Sequence, residues 1–338
     1  MNYIIEKNQV KTLLDKISAG YEIFAPVLHN GLPVFEHITE TDKVLSDVYT
    51  VNSPKGVVFP QTEVLLKFNL AKNKVDLKEL EESNKKILIW GARACDAVAF
   101  EILDKLFNWA NYKDEFYFNK RDKATIISFS CINPPDSCFC TSIEKGHPFS
   151  KQGSDLLLTE VQDGYYIQQI TKKGEEFLNE IKSVLKPASA DVEKEIEKLA
   201  KEAENKIKRK INTKEIKSKL DVSFESKYWD EASFPCVNCG ACTYVCPTCY
   251  CFDIADNLAK TSGERVKTWD SCMFANFTKM GGGVNPRIDP KRRFRQRFNH
   301  KFKYFVENMG EPLCTGCGRC IKSCPVGIDI RKVLTEAQ

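Results

Sequence analysis

Short apolar runs alternate with amphipathic stretches along the first half of the chain. The apolar runs have the length of buried strands, and the amphipathic stretches carry apolar residues at helical spacing. Strand, helix and strand in this order predict an α/β domain over residues 1–187. The predicted elements are strands over 85–91 and 123–130, a helix over 95–107, a hairpin over 155–170 that turns at Asp163-Gly164, and a helix over 172–185.

The pattern changes in residues 188–231. Apolar side chains recur there every three or four residues amid lysine and glutamate, which predicts a surface helix with one apolar stripe. Such a helix either connects two domains or pairs with a second helix in a coiled coil. The stripe is short, which favours a helical connector between domains.

Residues 232–338 predict a third region that is mainly helical. The segments 252–260 and 328–334 each follow a cysteine-rich run and have apolar residues at helical spacing. The whole chain is therefore predicted to be α+β, with an N-terminal α/β domain, a helical connector and a C-terminal, mainly helical domain of ferredoxin-like type.

The composition points to a cytoplasmic protein that binds metal. No apolar run is long enough to span a membrane, and the first residues lack the features of a signal peptide. Fifteen cysteines in a reducing compartment favour metal ligation over disulfides. The net charge of +4 does not support bulk binding to nucleic acid.

Two runs of four cysteines share one spacing, and each run is followed by proline. A [4Fe–4S] cluster takes four cysteine thiolates, and in two-cluster ferredoxins the fourth cysteine of each run binds the other cluster. Gly240 and Gly318 give the backbone room to pass close to a cluster. Zinc is the alternative, but structural zinc sites use pairs of cysteines and four ligands in all. We predict one cluster, site A, on Cys236, Cys239, Cys242 and Cys324, and a second, site B, on Cys314, Cys317, Cys320 and Cys246.

Four further cysteines follow the two predicted strands of the N-terminal domain. Cys95 begins the helix after the first strand, and Cys131, Cys138 and Cys140 follow the second strand. Two strand ends in one sheet can lie side by side, so these thiols form a complete ligand set for a third [4Fe–4S] cluster, site C. The positive end of the helix should lower the thiol pKa and help ligation. The alternative is a pair of buried cysteines beside a redox-active loop.

Cys249, Cys251 and Cys272 remain after these assignments. With His300 as the fourth donor they would form a Cys3His site for zinc or an iron–sulfur cluster. Otherwise they pack as small buried residues around site A or site B, which is the interpretation we prefer.

The motifs, taken in order, resemble those of one family. CVNCGACTYVCPTCYCFD, TWDSCMFANFT, GGGVNPR and CTGCGRCIKSCPVGIDI resemble the iron–sulfur β subunit of cytoplasmic NiFe hydrogenases of the sulfhydrogenase type. They resemble the iron–sulfur electron-transfer subunit of anaerobic sulfite reductase equally well. The resemblance implies a subunit that relays electrons between a flavin subunit, which handles NAD(P)H, and a catalytic subunit. It also implies ligand roles for the eight cysteines of sites A and B.

The basic segment 285–303 holds eight lysine and arginine residues against one acid. It is a solvated face, a docking face for an acidic partner, or a phosphate-binding face. No recognition motif for nucleic acid accompanies it.

No dinucleotide or phosphate-loop motif is present, so we predict no catalytic residue. The predicted function is electron transfer through [4Fe–4S] clusters between a flavin-containing reductase subunit, or ferredoxin, and a catalytic oxidoreductase subunit. The alternative is a stand-alone iron–sulfur redox sensor or a nucleic-acid-binding iron–sulfur protein.

Overall fold

The computed structural model describes residues 3–72, 74–78, 80, 83–162, 164–189 and 191–337. The strands are β1 (Tyr3–Ile5), β2 (Tyr21–His29), β3 (Leu32–His37), β4 (Thr62–Ala71), β5 (Lys74–Lys78), β6 (Lys86–Arg93), β7 (Asn108–Trp109), β8 (Tyr112–Lys113), β9 (Ala124–Phe129), β10 (Leu156–Val161), β11 (Gly164–Gln169), β12 (Lys186–Pro187), β13 (Phe252–Ala259) and β14 (Ser262–Trp269). The α-helices are α1 (Gln9–Ile17), α2 (Ala94–Phe107), α3 (Glu115–Lys123), α4 (Lys172–Ile181), α5 (Asp191–Lys206), α6 (Thr213–Val222), α7 (Tyr228–Ser233), α8 (Ala241–Tyr244), α9 (Pro290–Asn299), α10 (Phe305–Met309), α11 (Arg319–Lys322) and α12 (Ile330–Glu336). Short 3₁₀ turns cover Thr41–Lys43, Pro54–Val57, Cys140–Ser142, Lys182–Val184, Ala275–Thr278 and Gly281–Gly283.

The larger sheet has eight strands in the order β12-β1-β11-β10-β9-β6-β2-β3. Its four central strands, β10, β9, β6 and β2, pair in parallel, and antiparallel strands flank them on both sides. β6 and β9 are neighbours, and Arg93 pairs with Phe129 at their carboxyl ends. The two strand ends that precede the predicted ligands of site C therefore lie side by side, as the sequence predicts.

The alternation of side chains along the central strands gives this sheet two buried faces. Leu88 and Trp90 of β6 pack with α1 and α4 on one face. Ile87 and Ile89 pack with α2 and α3 on the other face. The predicted strands, hairpin and helices between residues 85 and 185 are confirmed, and Asp163 of the predicted turn lies outside the described residues.

The prediction of a helix over residues 252–260 is wrong, because this segment forms strand β13. β13 pairs antiparallel with β14, β14 pairs with β4, and the smaller sheet has the order β13-β14-β4-β5. Ile254 and Leu258 fit an alternating strand pattern as well as a helical one. Pairing with β14, which includes an ion pair of 2.8 Å between Arg265 Nε and Asp256 Oδ1, stabilises the strand. A hairpin from the second half of the chain thus extends a sheet begun by the first half.

The predicted connector forms two helices, where the sequence predicts one. α5 packs on the large sheet through Ile196, and α6 packs on the C-terminal region through Ile216. The chain turns between them because the Ile211 N–H donates to Ser142 Oγ (2.9 Å), and Asn212 then caps the start of α6. Both apolar faces are covered by the chain itself.

The C-terminal region packs around Trp229, Phe294 and Phe298. α9 and α10 belong to one continuous helical segment, interrupted by a π-helical turn at His300–Tyr304. Such wide turns are frequent at functional sites, and this one holds Lys301 inside the protein. The α+β class, with an N-terminal sheet domain and a C-terminal helical region, is confirmed. Within the described ranges, no helix combines the length and the apolar character that crossing a membrane requires.

Candidate iron–sulfur sites

Both cysteine motifs fold in the same way. A glycine in the left-handed conformation, Gly240 (φ +75°) or Gly318 (φ +76°), precedes a short helix, α8 or α11. A Cβ at Gly240 would lie 2.7 Å from the ring of Phe274, and one at Gly318 would lie 2.4 Å from the carbonyl oxygen of Ser137. Glycine is therefore required by backbone conformation and by close packing. The contact with Ser137 brings a loop of the N-terminal domain against the second motif.

The four cysteines predicted for site A line one cavity, in which Cys236, Cys239 and Cys242 meet Cys324. The first three come from the loop and helix of the first motif, whereas Cys324 comes from the second motif. Cys239 is exposed and the other three are partly buried. Site A therefore reaches the protein surface at Cys239.

The cavity of site B lies deeper in the protein. It is lined by Cys246, Cys314, Cys317 and Cys320, together with Phe139, Lys301 and Ile330 among others. Cys246 belongs to the first motif and the other three cysteines to the second. Each motif thus sends its fourth cysteine to the cavity of the other motif, which is the arrangement that crossed ligation needs.

A third cavity contains the four cysteines predicted for site C, Cys95, Cys131, Cys138 and Cys140. Cys95 lies in the first turn of α2, directly after β6, and Cys131 follows the end of β9. The cavity lies at the carboxyl ends of parallel strands, where α/β proteins commonly bind ligands. Tyr49, Arg93 and His147 contribute to its walls.

Neighbouring cavities share a cysteine. Cys320 lines the cavities of sites A and B, and Cys317 lines those of sites B and C. The Phe139 N–H donates to the Gly316 carbonyl (2.8 Å), and the Tyr49 hydroxyl donates to the Cys317 carbonyl (2.5 Å). These bonds join the N-terminal domain to the second motif. The shared cysteines place site B between sites C and A, so the three cavities follow one another in a row.

Burial disfavours free thiolates at several cysteines of these cavities, whereas a hydrogen bond with Cys249 lowers the pKa of Cys246 well below its usual value. Burial raises the pKa of Cys140 to about 12 and that of Cys317 to about 11. Burial also raises the pKa of Cys95 well above its usual value, so the lowered thiol pKa expected there is wrong. Thiols with such pKa values ionise when a positive centre such as iron binds them.

Each of the three cavities is lined by at least four cysteines. In the part of the chain that the structure describes, no three His, Cys, Asp or Glu side chains close around one ion position. A four-iron cluster is larger than one ion and takes its four thiolates further apart. Four cysteine thiolates are the ligand set that the cluster prediction requires.

Arg297 provides a test of fit at site A. Its side chain is buried and lines the cavity beside Cys242 and Cys320. Its Nε and Nη2 atoms have no hydrogen-bond partner in the described structure. Unsatisfied buried N–H groups are costly, and the sulfur atoms of a cluster in this cavity would accept hydrogen bonds from them.

Lys301 occupies the equivalent position at site B. Its Nζ lies 3.3 Å from Cys246 Sγ and donates to the carbonyl of Leu313 at 3.0 Å. Lys55, from the N-terminal domain, is also buried, and its Nζ donates to the carbonyl of Cys249 at 2.7 Å. Positive charge is therefore concentrated around the cysteines of site B.

The basic segment 285–303 does not form one exposed face. Arg293, Arg295, Arg297 and Lys301 are buried, so the interpretation of the whole segment as a solvated, docking or phosphate-binding face is wrong for these residues. Arg293 Nε donates to the carbonyl of Met273 at 3.0 Å, and Arg295 donates to that of Phe224. Arg292, in contrast, is exposed. The buried bases support the protein interior or face the cavities.

In the described structure, His300 has a hydrogen-bond partner outside the set Cys249, Cys251 and Cys272. His300 Nε2 lies 2.9 Å from the hydroxyl of Tyr250, and burial lowers the pKa of His300 to about 4. Cys251 and Cys272 hydrogen-bond to each other, which lowers the pKa of Cys251 to about 7. The Cys249 side chain forms a hydrogen bond with that of Cys246, a cysteine of site B. Cys251 and Cys272 belong to the same apolar core cluster as Cys242 and Cys314, and packing beside the sites stays a prediction for these thiols.

The positions of several residues beside the sites are not predicted from the sequence. Arg297 and Lys301 each lie three residues after a phenylalanine of the buried stripe. This helical spacing is the feature of the sequence that indicates their burial. Asp96 and Arg319 form an ion pair, with Nη2 2.9 Å from Oδ2, that is almost fully buried between site C and the second motif. No local pattern links these two residues, because they are far apart in sequence.

Comparisons with known proteins agree with this geometry. Residues 235–328, which include both motifs, match the family model of the 4Fe-4S dicluster domain. The chain is 31% identical over 318 residues to sulfhydrogenase 2 subunit beta of Pyrococcus furiosus, an alignment that covers 94% of this chain and 92% of that relative. No solved structure matches the chain significantly.

Proposed function

Since the chain belongs to the family of sulfhydrogenase β subunits, we propose that it relays electrons through three [4Fe–4S] clusters within a cytoplasmic oxidoreductase complex. Electrons pass between a flavin-containing subunit that uses NAD(P)H, or ferredoxin, and a catalytic subunit. The relative favours a catalytic subunit of the sulfhydrogenase type. Anaerobic sulfite reductase is the alternative that the motifs allow.

The observation that carries this proposal is the row of cysteine-lined cavities. Cys317 stands between sites C and B, and Cys320 stands between sites B and A. Electron transfer through a protein needs redox centres that lie close to one another. It also needs centres whose ligand bonds stay in place when the oxidation state changes. A single metal site, or three isolated ones, would not provide such a row.

Bound iron–sulfur clusters supply one-electron redox chemistry. The chain's part is to hold them with the cysteines of sites A, B and C, and to shield them with apolar residues such as Phe139 and Phe294. Cys239 is exposed, which lets site A exchange electrons with a partner at the surface. No side chain is assigned to bond making, so the chemistry of the final substrate belongs to the catalytic subunit.

The alternative function is less well supported. A phosphate-binding face on the basic segment 285–303 would favour nucleic acid as the partner, but four of the bases in this segment are buried. No second feature of the described residues favours a stand-alone redox sensor.

The proposal is tested by purifying the chain anaerobically with its associated proteins and following the cluster absorbance after NAD(P)H is added. We expect a flavoprotein among the partners, and we expect bleaching of the clusters only when that flavoprotein is present. Oxidation of NAD(P)H by the isolated chain would contradict the assignment as a relay subunit.

A further inference from the structure

Two buried basic residues on one helical segment face sites A and B. Arg297 is 4% exposed and Lys301 is 3% exposed. Lysine and arginine are almost never buried to this extent without a partner of opposite charge. Among the ion pairs that the described residues form, none involves Arg297 or Lys301, so the partner charge must come from elsewhere.

The contacts of Lys301 identify that partner at site B. Its Nζ lies 3.3 Å from Cys246 Sγ, 3.3 Å from Thr248 Oγ1 and 3.0 Å from the Leu313 carbonyl oxygen. Two of these groups are neutral acceptors, which satisfy N–H groups but do not balance the charge. The sulfur of Cys246 is the one contact that becomes anionic when it binds iron.

Arg297 repeats the arrangement at site A. It lines the cavity, and its Nε and Nη2 are buried without a hydrogen-bond partner among the described atoms. A guanidinium has five N–H donors in a fixed plane and stays protonated. It is therefore suited to donate to sulfur atoms in that cavity.

The positive charges of the buried arginines at site C are neutralised by carboxylates. Arg319 pairs with Asp96, and Arg93 pairs with Asp47. These carboxylates neutralise the two guanidinium groups. Fixed positive charge without a carboxylate partner is therefore found at sites A and B and is offset at site C.

We propose that Lys301 and Arg297 are positioning residues that raise the reduction potentials of the clusters in sites B and A above that of site C. The inference rests on the proposed function. Positive charge and N–H donors to sulfur stabilise the reduced, more negative state of a cluster. With clusters bound, this charge pattern would make the transfer of one electron from site C to site B downhill: site C would be oxidised and site B reduced, with no bond or proton moved.

The test is an anaerobic potentiometric titration of the full chain, followed by EPR. Loss of a signal in Cys239→Ser, Cys314→Ser or Cys138→Ser assigns it to site A, B or C. Lys301→Met should lower the midpoint potential of site B by at least about 59 mV, which for a one-electron centre is a tenfold change in the equilibrium constant for reduction. Site C should not move, and Lys301→Arg should keep most of the wild-type potential.

Lys303→Met is the matched control, because Lys303 lies on the same helical segment but pairs with Asp221 at 3.0 Å. It should leave all potentials unchanged. An unshifted site B in Lys301→Met with full iron content would overturn the inference and leave the relay function intact. Wild-type protein without cluster signals would overturn the relay function itself.

A second pair of variants covers the case in which Lys301→Met loses iron. Lys301→Gln keeps a donor to the Leu313 carbonyl, whereas Lys301→Arg keeps the charge. A lower potential for site B in the Gln variant than in the Arg variant supports the inference. Equal potentials in the two variants contradict it, because charge would then have no effect.

Discussion

Cys246 and Cys324 are the residues on which the ligand assignment depends most, because each lies in the cavity of the other motif. The repeated spacing predicts this crossing, and the fold brings both residues to the cavities that the prediction requires. The spacing could not reveal Arg297 and Lys301, because a base inside an apolar stripe has the same pattern whether it faces a cavity or water.

Crossed ligation predicts which variants should behave alike. Cys324→Ser should damage the same cluster as Cys239→Ser, and Cys246→Ser the same cluster as Cys314→Ser. Iron content and EPR spectra of anaerobic protein will group the variants in pairs. If Cys324→Ser instead loses the same EPR signal as Cys314→Ser, each motif binds its own cluster.

The thiols of Cys251 and Cys272 should be dispensable for cluster binding. They hydrogen-bond to each other and lie outside the three cysteine sets. Cys251→Ser and Cys272→Ser should therefore keep the wild-type iron content, with Cys239→Ser as the comparison that loses iron. Loss of about four iron atoms in either serine variant would mean that these thiols hold a cluster.

At the scale of elements, prediction from sequence succeeds where a local pattern determines the structure. β6, α2 and β9 lie where the apolar spacing predicts them. Prediction fails for β13, because the spacing of Ile254 and Leu258 fits a helix as well as a strand. Pairing with β14 decides in favour of the strand. Prediction also misses the break between α5 and α6, which depends on a bond to distant Ser142.

The helix α9 allows an exposed base and a buried one to be compared directly. Arg293→Glu should destabilise the protein by about 3–5 kcal/mol, because a carboxylate would be buried where a guanidinium now donates to carbonyl groups. Arg292→Glu should change stability by less than about 0.5 kcal/mol, since Arg292 is exposed. Anaerobic thermal unfolding of both variants measures the difference, and equal stabilities would show that the burial of Arg293 is misassigned.

At the scale of the whole molecule, the N-terminal and C-terminal halves of the chain contact each other around the row of sites. The β13–β14 hairpin joins the sheet of β4, and the Arg319–Asp96 pair joins the second motif to α2. The sequence predicts the three cysteine sets but not their order in space. That order depends on contacts between residues hundreds of positions apart, such as Tyr49 and Cys317, which no local pattern encodes.

The iron and sulfide content of the full chain, purified anaerobically, tests the central claim most directly. Three clusters predict about twelve iron and twelve sulfide per chain, and Cys138→Ser should lower both to about eight. The lower content should leave the signals of sites A and B in place. About eight iron in both wild type and variant, or zinc bound at the N-terminal cysteines, would contradict a relay of three clusters.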